Sequence, residues 1–198
     1  KASQACVFAG KELVEDAVKY YDAQREKCFV LESGVNDTLF KPVGGEEKEK
    51  TKRDLGFDPP DIVVLNIGMM VERKNILNLA LSLKYLPSLY KLLLIGSGDS
   101  AYLKTLDQLI QDERLQSRVI RGGYTPYPQI PIAMQSADIF VLPSSFEGTP
   151  KVVLEALSCN VPVLASGFRL NEEISGLDYL DKIDPGYIAE SIKRVMEN

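Results

Sequence analysis

Four short runs constrain this chain more than anything else in it: DIVVLNI (61–67), KLLLI (91–95), DIFVL (138–142) and VPVLA (161–165). Each is almost wholly apolar, with no alternation of apolar and polar positions. A strand with one face in water alternates, whereas a strand buried on both faces does not. Helical spacing follows the runs. Residues 75–86 carry Ile76, Leu79, Ala80 and Leu83 on one stripe, a second helix runs to about Asp112, and others cover 150–159 and 188–196. Residues 118–121 add a short strand and 130–136 a short helix. Buried strands alternating with helices predict an α/β fold, a doubly wound parallel sheet of Rossmann-like type.

The N-terminal third is less regular. ACVFA (5–9) reads as a strand, 11–21 as a helix with Leu13, Val14, Ala17 and Val18 on one face, and 28–31 as a second strand. SGVNDTLFKP (33–42) is turn chemistry, and the charged 44–54 reads as a solvated helix or connector.

Composition excludes several functions. A chain of 198 residues suits one well-buried domain, here 1–198. A net charge of −5, with both signs interspersed, argues against a nucleic-acid surface. The absence of histidine removes His-based acid–base catalysis, Ser-His-Asp triads and the common zinc sites. Cys6, Cys28 and Cys159 lack CxxC spacing and read as buried thiols in a reducing compartment. No apolar stretch approaches the about 18 residues of a membrane span, which predicts a soluble, cytoplasmic protein.

In a sheet of this kind, ligands bind where the strands end at their carboxyl side. Four such ends stand out. After Gly68, Arg73 and Lys74 precede a helix, either to hold a phosphate or as solvated helix-start charges. After KLLLI, Gly96-Ser97-Gly98-Asp99-Ser100-Ala101 fits the G-x-G-x-x-A dinucleotide pattern, which keeps a nicotinamide oxidoreductase open as a reading. Gly122 and Tyr124 can lie against a flat base or simply form a turn.

The fourth end is PSSFEGTPKVVLE (143–155). Gly148 permits a bend, Thr149 suits an N-cap and Pro150 the first helical position. The helix N-terminus from Thr149 to Lys151 then offers free N–H groups and a positive dipole end to a diphosphate. Glu147 stays in the loop, while Glu155 lies among apolar neighbours, where a free charge is costly unless partnered.

Glu147-x7-Glu155, within PSSFEGTPKVVLEALSCNVPVLAS, closely resembles the signature of retaining family 4 glycosyltransferases with the GT-B fold. ESGVNDTLFKP is similar to that family's NGVD…F.P connector, NIGMMVERKN to its GRL…KG segment, LLLIGSGD to its I-x-G-x-G loop, and SADIFVLPS to its AD-x-F-x-PS strand. The resemblance implies the C-terminal half of a GT-B fold, with residues 1–22 resembling the last strand and helix of a missing N-terminal acceptor domain.

On that resemblance Glu155 binds the ribose hydroxyls of a nucleotide-sugar and Glu147 faces the transferred sugar. Lys74, helped by Arg73 and by the segment Gly148, Thr149, Pro150 and Lys151, neutralises the diphosphate. Gly122 and Tyr124 lie beside the base. It implies retaining hexosyl transfer to a glycan or lipid-linked sugar, with no metal and no cofactor beyond the donor, and little or no turnover by this half alone. Membrane contact at the inner face would come only through the missing half. The sequence departs from the family where Met69 replaces the usual Arg and where 167–171 (GFRLN) replaces a Gly-rich loop. A non-catalytic nucleotide-binding module and a nucleotide-sugar isomerase would suit the same fold and the same residues.

Overall fold

The computed structural model describes residues 3–31, 34–148, 150–170 and 173–197. The strands are β1 (Cys6–Phe8), β2 (Cys28–Val30), β3 (Ile62–Ile67), β4 (Tyr90–Ile95), β5 (Val119–Gly123), β6 (Ile139–Pro143), β7 (Val163–Ser166) and β8 (Leu177–Tyr179). The helices are α1 (Lys11–Tyr21), α2 (Gly45–Asp54), α3 (Ile76–Ser82), α4 (Ser100–Asp112), α5 (Ile130–Ser136), α6 (Lys151–Ser158) and α7 (Pro185–Glu197).

Six strands form one parallel sheet in the order β5-β4-β3-β6-β7-β8. Alternate residues of each strand enter opposite cores. Val64, Leu92, Leu94, Ile139, Val141 and Leu164 pack with α3, α4 and α7. Val63, Leu65, Leu93, Ile95, Phe140, Leu142, Val163 and Ala165 pack with α5, α6, Phe40 and Phe57. Two-sided burial is why these runs show no period of two.

From β3 the chain winds outward through β4 and β5, then returns to β6 on the other side of β3 and winds the opposite way. The reversal lies between β3 and β6. Their ladder pairs only Val64 with Ile139 and Leu65 with Phe140. Beyond it the Asn66 side chain, 2% exposed, donates Nδ2–H to the Val141 carbonyl at 2.7 Å. A side chain thus satisfies a carbonyl at the point where the strands part.

Several elements differ from what the sequence predicts. β5 ends at Gly123, two residues beyond the expected 121, and β8 is unexpected, since its three residues carry no uniformly apolar run. The helix expected over 75–86 is α only to Ser82 and tightens to a 3₁₀ turn at Leu83–Tyr85. β1 and β2 pair with each other as a separate two-stranded parallel sheet. Cys6 and Cys28, expected to be buried, are partners in that small sheet and only half-buried, because three-residue strands give little cover; Cys159 is buried.

The charged α2 is not merely solvated. Lys52 is 6% exposed and donates to the Asp61 carbonyl at 2.7 Å and to Asp138 Oδ2 at 2.6 Å. Asp138 also accepts from Val63 N–H at 2.7 Å and pairs with Lys48 at 2.8 Å, fixing the helix to the amino end of the sheet.

Candidate functional site

The loop after β3 turns through the 3₁₀ residues Glu72–Lys74 and stops at Asn75, which adopts a left-handed φ of 51°. Asparagine is one of the few residues that tolerate this region. Its side-chain amide donates to the Pro143 carbonyl and to Ser145 Oγ, both at 2.9 Å, and Ser145 N–H donates to the Arg73 carbonyl at 2.8 Å. The loops after β3 and β6 are therefore sewn together across the crevice.

This seam brings three expected site residues into contact. Lys74 Nζ lies 2.5 Å from Glu147 Oε1 and Arg73 Nη1 lies 3.2 Å from the same oxygen. Lys74 and Glu147 are nearly buried, with side chains 11% and 10% exposed, whereas that of Arg73 is 52% exposed. Arg73 also donates to the Phe146 carbonyl at 3.0 Å. Burial pushes the Glu147 carboxyl up. The Lys74 hydrogen bond, the nearby Ser144 hydroxyl and the charges of Lys74 and Arg73 outweigh that effect and hold it below its ordinary 4.5. The two cations, expected to meet a phosphate, thus share the one carboxylate expected to face a sugar, which offsets only one of their two charges.

α6 begins beside them. Pro150, expected as its first helical residue, is its N-cap instead, with ψ at 102°, and the helix starts at Lys151; Thr149 lies outside the described residues. Among the described residues no side chain caps this terminus. Gly148 needs no glycine for its own geometry: its φ is not positive, and a Cβ there would meet open space. Lys151 is exposed, and Glu155, one turn further on, is 6% exposed.

Among the described residues Glu155 has no cationic partner. Its Oε1 accepts a hydrogen bond from the Tyr127 hydroxyl at 2.8 Å. No hydrogen bond joins Glu147 to Glu155, so the two carboxylates serve different places. Sequence reasoning misses Tyr127 and Asn75. Asparagine after a charged turn signals a left-handed residue, but nothing local marks Tyr127.

Two more segments decide between uses that the sequence allows. A Cβ on Gly96 would lie 1.9 Å from the Gly68 carbonyl oxygen, and one on Gly98 would lie 2.3 Å from that of Met70. These glycines let the loops after β3 and β4 lie against each other. The Asp99 carboxylate accepts from Ala101 and Tyr102 N–H at 3.0 and 2.9 Å, capping α4. That helix terminus is occupied where a dinucleotide fold would seat its pyrophosphate, which removes the support for a nicotinamide oxidoreductase. At the end of β5, a Cβ on Gly122 would lie 2.4 Å from Ile95 Cδ1, the movable end of a side chain, so packing favours glycine there without demanding it, while Tyr124 is 79% exposed.

A cavity of about 750 Å³ adjoins the Glu147 loop at the carboxyl ends of β6, β7 and β8, lined in part by Ser144, Ser166, Phe168, Arg169, Asp181 and Lys182. Gly167, with φ at 87°, sits 2.7 Å from the Ser144 carbonyl by its ideal Cβ position, so only glycine fits. Its carbonyl accepts from Glu147 N–H at 2.8 Å. Arg169 stacks 4.0 Å over the Tyr179 ring and pairs with Asp181 at 3.3 Å. Among the described residues no cluster of side chains suits a metal ion, and no helix is long and apolar enough to cross a membrane.

The six-stranded parallel sheet flanked by helices matches the C-terminal Rossmann-like domains of GT-B glycosyltransferases. The chain belongs to the glycosyl transferases group 1 family, whose model matches residues 47–198. It is 25% identical over 200 residues to an uncharacterized glycosyltransferase of Methanocaldococcus jannaschii, covering 97% of this chain and 50% of that protein. To the UDP-Gal:alpha-D-GlcNAc-diphosphoundecaprenol alpha-1,3-galactosyltransferase of Escherichia coli it is 30% identical, covering 86% of this chain and 44% of the relative. The crystal structure of Anabaena HepE in complex with UDP and glucose superposes with a TM-score of 0.86 at 20% identity, covering 99% of this chain and 54% of that one. The chain thus spans about half the length of the relatives it matches.

Proposed function

We propose that the chain holds a nucleoside-diphosphate sugar across the β3/β6 crevice and serves the retaining transfer of its hexose to an acceptor. The observation that carries this is the convergence of Lys74 and Arg73 on Glu147 beside the N-terminus of α6, with Glu155 buried one turn further along. The diphosphate lies against Lys74, Arg73 and the first N–H groups of α6. These positive groups stabilise the charge that develops as the leaving diphosphate departs, and the reaction calls for neither a metal nor another cofactor. Glu155 accepts hydrogen bonds from ribose hydroxyls, and Glu147 from hydroxyls of the transferred sugar. Gly122 and Tyr124 flank the base. HepE with UDP and glucose supports a nucleotide-sugar donor, and the diphosphoundecaprenol-linked acceptor in the name of the E. coli relative supports a lipid-linked or glycan acceptor.

An acceptor-binding domain in a longer protein would complete the cleft, so this chain alone binds donor and turns over slowly or not at all. A binding module without turnover is the second reading, favoured by Met69, which is 63% exposed where the family usually has Arg.

Calorimetry with UDP, GDP, ADP and their hexose conjugates, with NADH as control, tests the proposal. One nucleoside diphosphate should bind saturably and NADH should not. Glu155→Ala should abolish nucleotide binding; Glu147→Ala should spare the nucleotide and weaken the sugar conjugate. If neither substitution alters binding, the paired-carboxylate account is wrong.

A further inference from the structure

Glu155 is unusual among the charged groups of the crevice. Glu147 is matched by two cations, whereas Glu155, almost fully buried, meets among the described residues a neutral phenol and no cation. A buried carboxylate is unstable in orientation unless donors fix it, because its oxygens seek whatever hydrogen bonds they can reach. The Tyr127 side chain is held in place more firmly than its half-exposed position suggests.

Its backbone lies in a 3₁₀ turn between Pro126 and Pro128, with Gln129 N–H donating to the Pro126 carbonyl at 2.8 Å. Flanking prolines restrict φ on either side of the tyrosine. Its ring rests on Phe40, with centroids 5.6 Å apart and planes at 57°. Phe40 is itself completely buried, and its carbonyl accepts from Ser158 Oγ at 2.6 Å. Ser158 is on α6, three residues beyond Glu155.

The contacts therefore close a circuit: from Glu155 along α6 to Ser158, across to Phe40, onto the Tyr127 ring, and through its hydroxyl back to Glu155 Oε1. The helix that carries the carboxylate also anchors the brace that aims it. A phenol donates a hydrogen bond without bringing an opposing charge to the carboxylate, as an arginine in the same place would. The hydrogen bond to Glu155, with lesser help from burial and from the carboxylate's charge, raises the Tyr127 pKa, so the phenol remains a donor through the neutral range.

We propose that Tyr127 is a positioning residue, whose hydroxyl fixes Glu155 Oε1 so that the rest of the carboxylate is aimed at the ribose hydroxyls of the bound nucleotide. The proposal rests on the nucleotide-sugar reading above. It assigns Tyr127 no contact with the reacting atoms and no part in the diphosphate grip.

Tyr127→Phe tests it, since the ring and its contact with Phe40 are kept and only the hydroxyl is lost. Calorimetry would use whichever of UDP, GDP and ADP the unaltered chain binds, together with the 2′,3′-dideoxy analogue of the same diphosphate. The ribonucleotide should bind the variant about tenfold more weakly, the size expected for a hydrogen bond to a charged group. The dideoxy analogue should bind both proteins equally, because it has no hydroxyl for Glu155 to receive. Unchanged or tighter ribonucleotide binding by the variant overturns the positioning role. So does an equal loss for both ligands, which would mean that the variant has merely loosened the loop. If the unaltered chain binds none of the diphosphates, the donor reading fails and the role of Tyr127 falls with it.

Discussion

Lys74→Met isolates the buried ion pair while keeping an aliphatic stem of similar length. Lys74 Nζ and Glu147 Oε1 are 2.5 Å apart, and neither side chain is more than 11% exposed. Removing one partner of a buried pair costs about 3–5 kcal/mol, because the other charge is left uncompensated. Arg73 remains 3.2 Å from the same oxygen, but it is half-exposed, and such a contact returns about 1 kcal/mol at most. The net loss at pH 7 is then about 2–4 kcal/mol, or a Tm lower by roughly 4–16 °C for a chain of this size.

The pH dependence distinguishes this from a packing effect. The folded pKa of Glu147 is depressed, so the pair's contribution is present above the ordinary 4.5 and is lost as pH falls through the folded value. In the variant the main opposing cation is gone and burial favours the protonated acid. The gap between the two proteins should therefore be widest near neutrality and should narrow on approach to pH 4. Calorimetric or circular-dichroism melts of both proteins at pH 7 and pH 4 measure it. A gap equal at both pH values, or one under about 1 kcal/mol at pH 7, would refute the electrostatic reasoning.

Gly96→Ala should be far worse than its size suggests. Its Cβ would fall 1.9 Å from the Gly68 carbonyl oxygen and its φ is 135°, so both backbone strain and a clash oppose it. A loss of at least about 3 kcal/mol in urea unfolding is expected, and a loss below about 1 kcal/mol would show that the two loops separate easily. Burial, followed by the charge of Glu155, pushes the Cys159 thiol up to about 11, so at pH 8 it should resist iodoacetamide until the chain unfolds. Cys6 and Cys28 should alkylate in the native state, and peptide mass spectrometry separates the three.

The strands are legible in the sequence because burial on both faces writes itself into consecutive residues. Val63 and Val64 serve opposite cores, as do Leu92 and Leu93. β8 lacks that signature: Leu177-Asp178-Tyr179 sits at the sheet edge with its aspartate exposed, and its strand character comes from pairing with β7. The members of the site are legible as residues, but their partnerships are not. The Lys74–Glu147 contact spans 73 positions and the Lys52–Asp138 contact 86, so no local pattern encodes them. Lys52 shows the error of reading charge as exposure, because a helix of ten mostly charged residues buries one lysine by giving it a carbonyl and a carboxylate.

The choice between the two phosphate cradles shows where sequence reasoning meets its physical limit. Both Gly96-Ser97-Gly98 and Glu147-Gly148 lie at a strand-to-helix turn, and a glycine at such a turn admits either a ligand or another piece of backbone. The difference lies in what fills the space a Cβ would take. At Gly96 and Gly98 it is the loop after β3, at 1.9 and 2.3 Å; at Gly148 it is nothing. The helix termini agree, since Asp99 already satisfies two N–H groups of α4, whereas among the described residues no side chain does so for α6. Asp99 could have been read as a cap from its position alone. A capped terminus has lost the unpaired donors that make a helix start attractive to an anion. The G-x-G pattern therefore marks a backbone contact, and the proposed diphosphate site is left to the terminus beside which Lys74 and Arg73 converge.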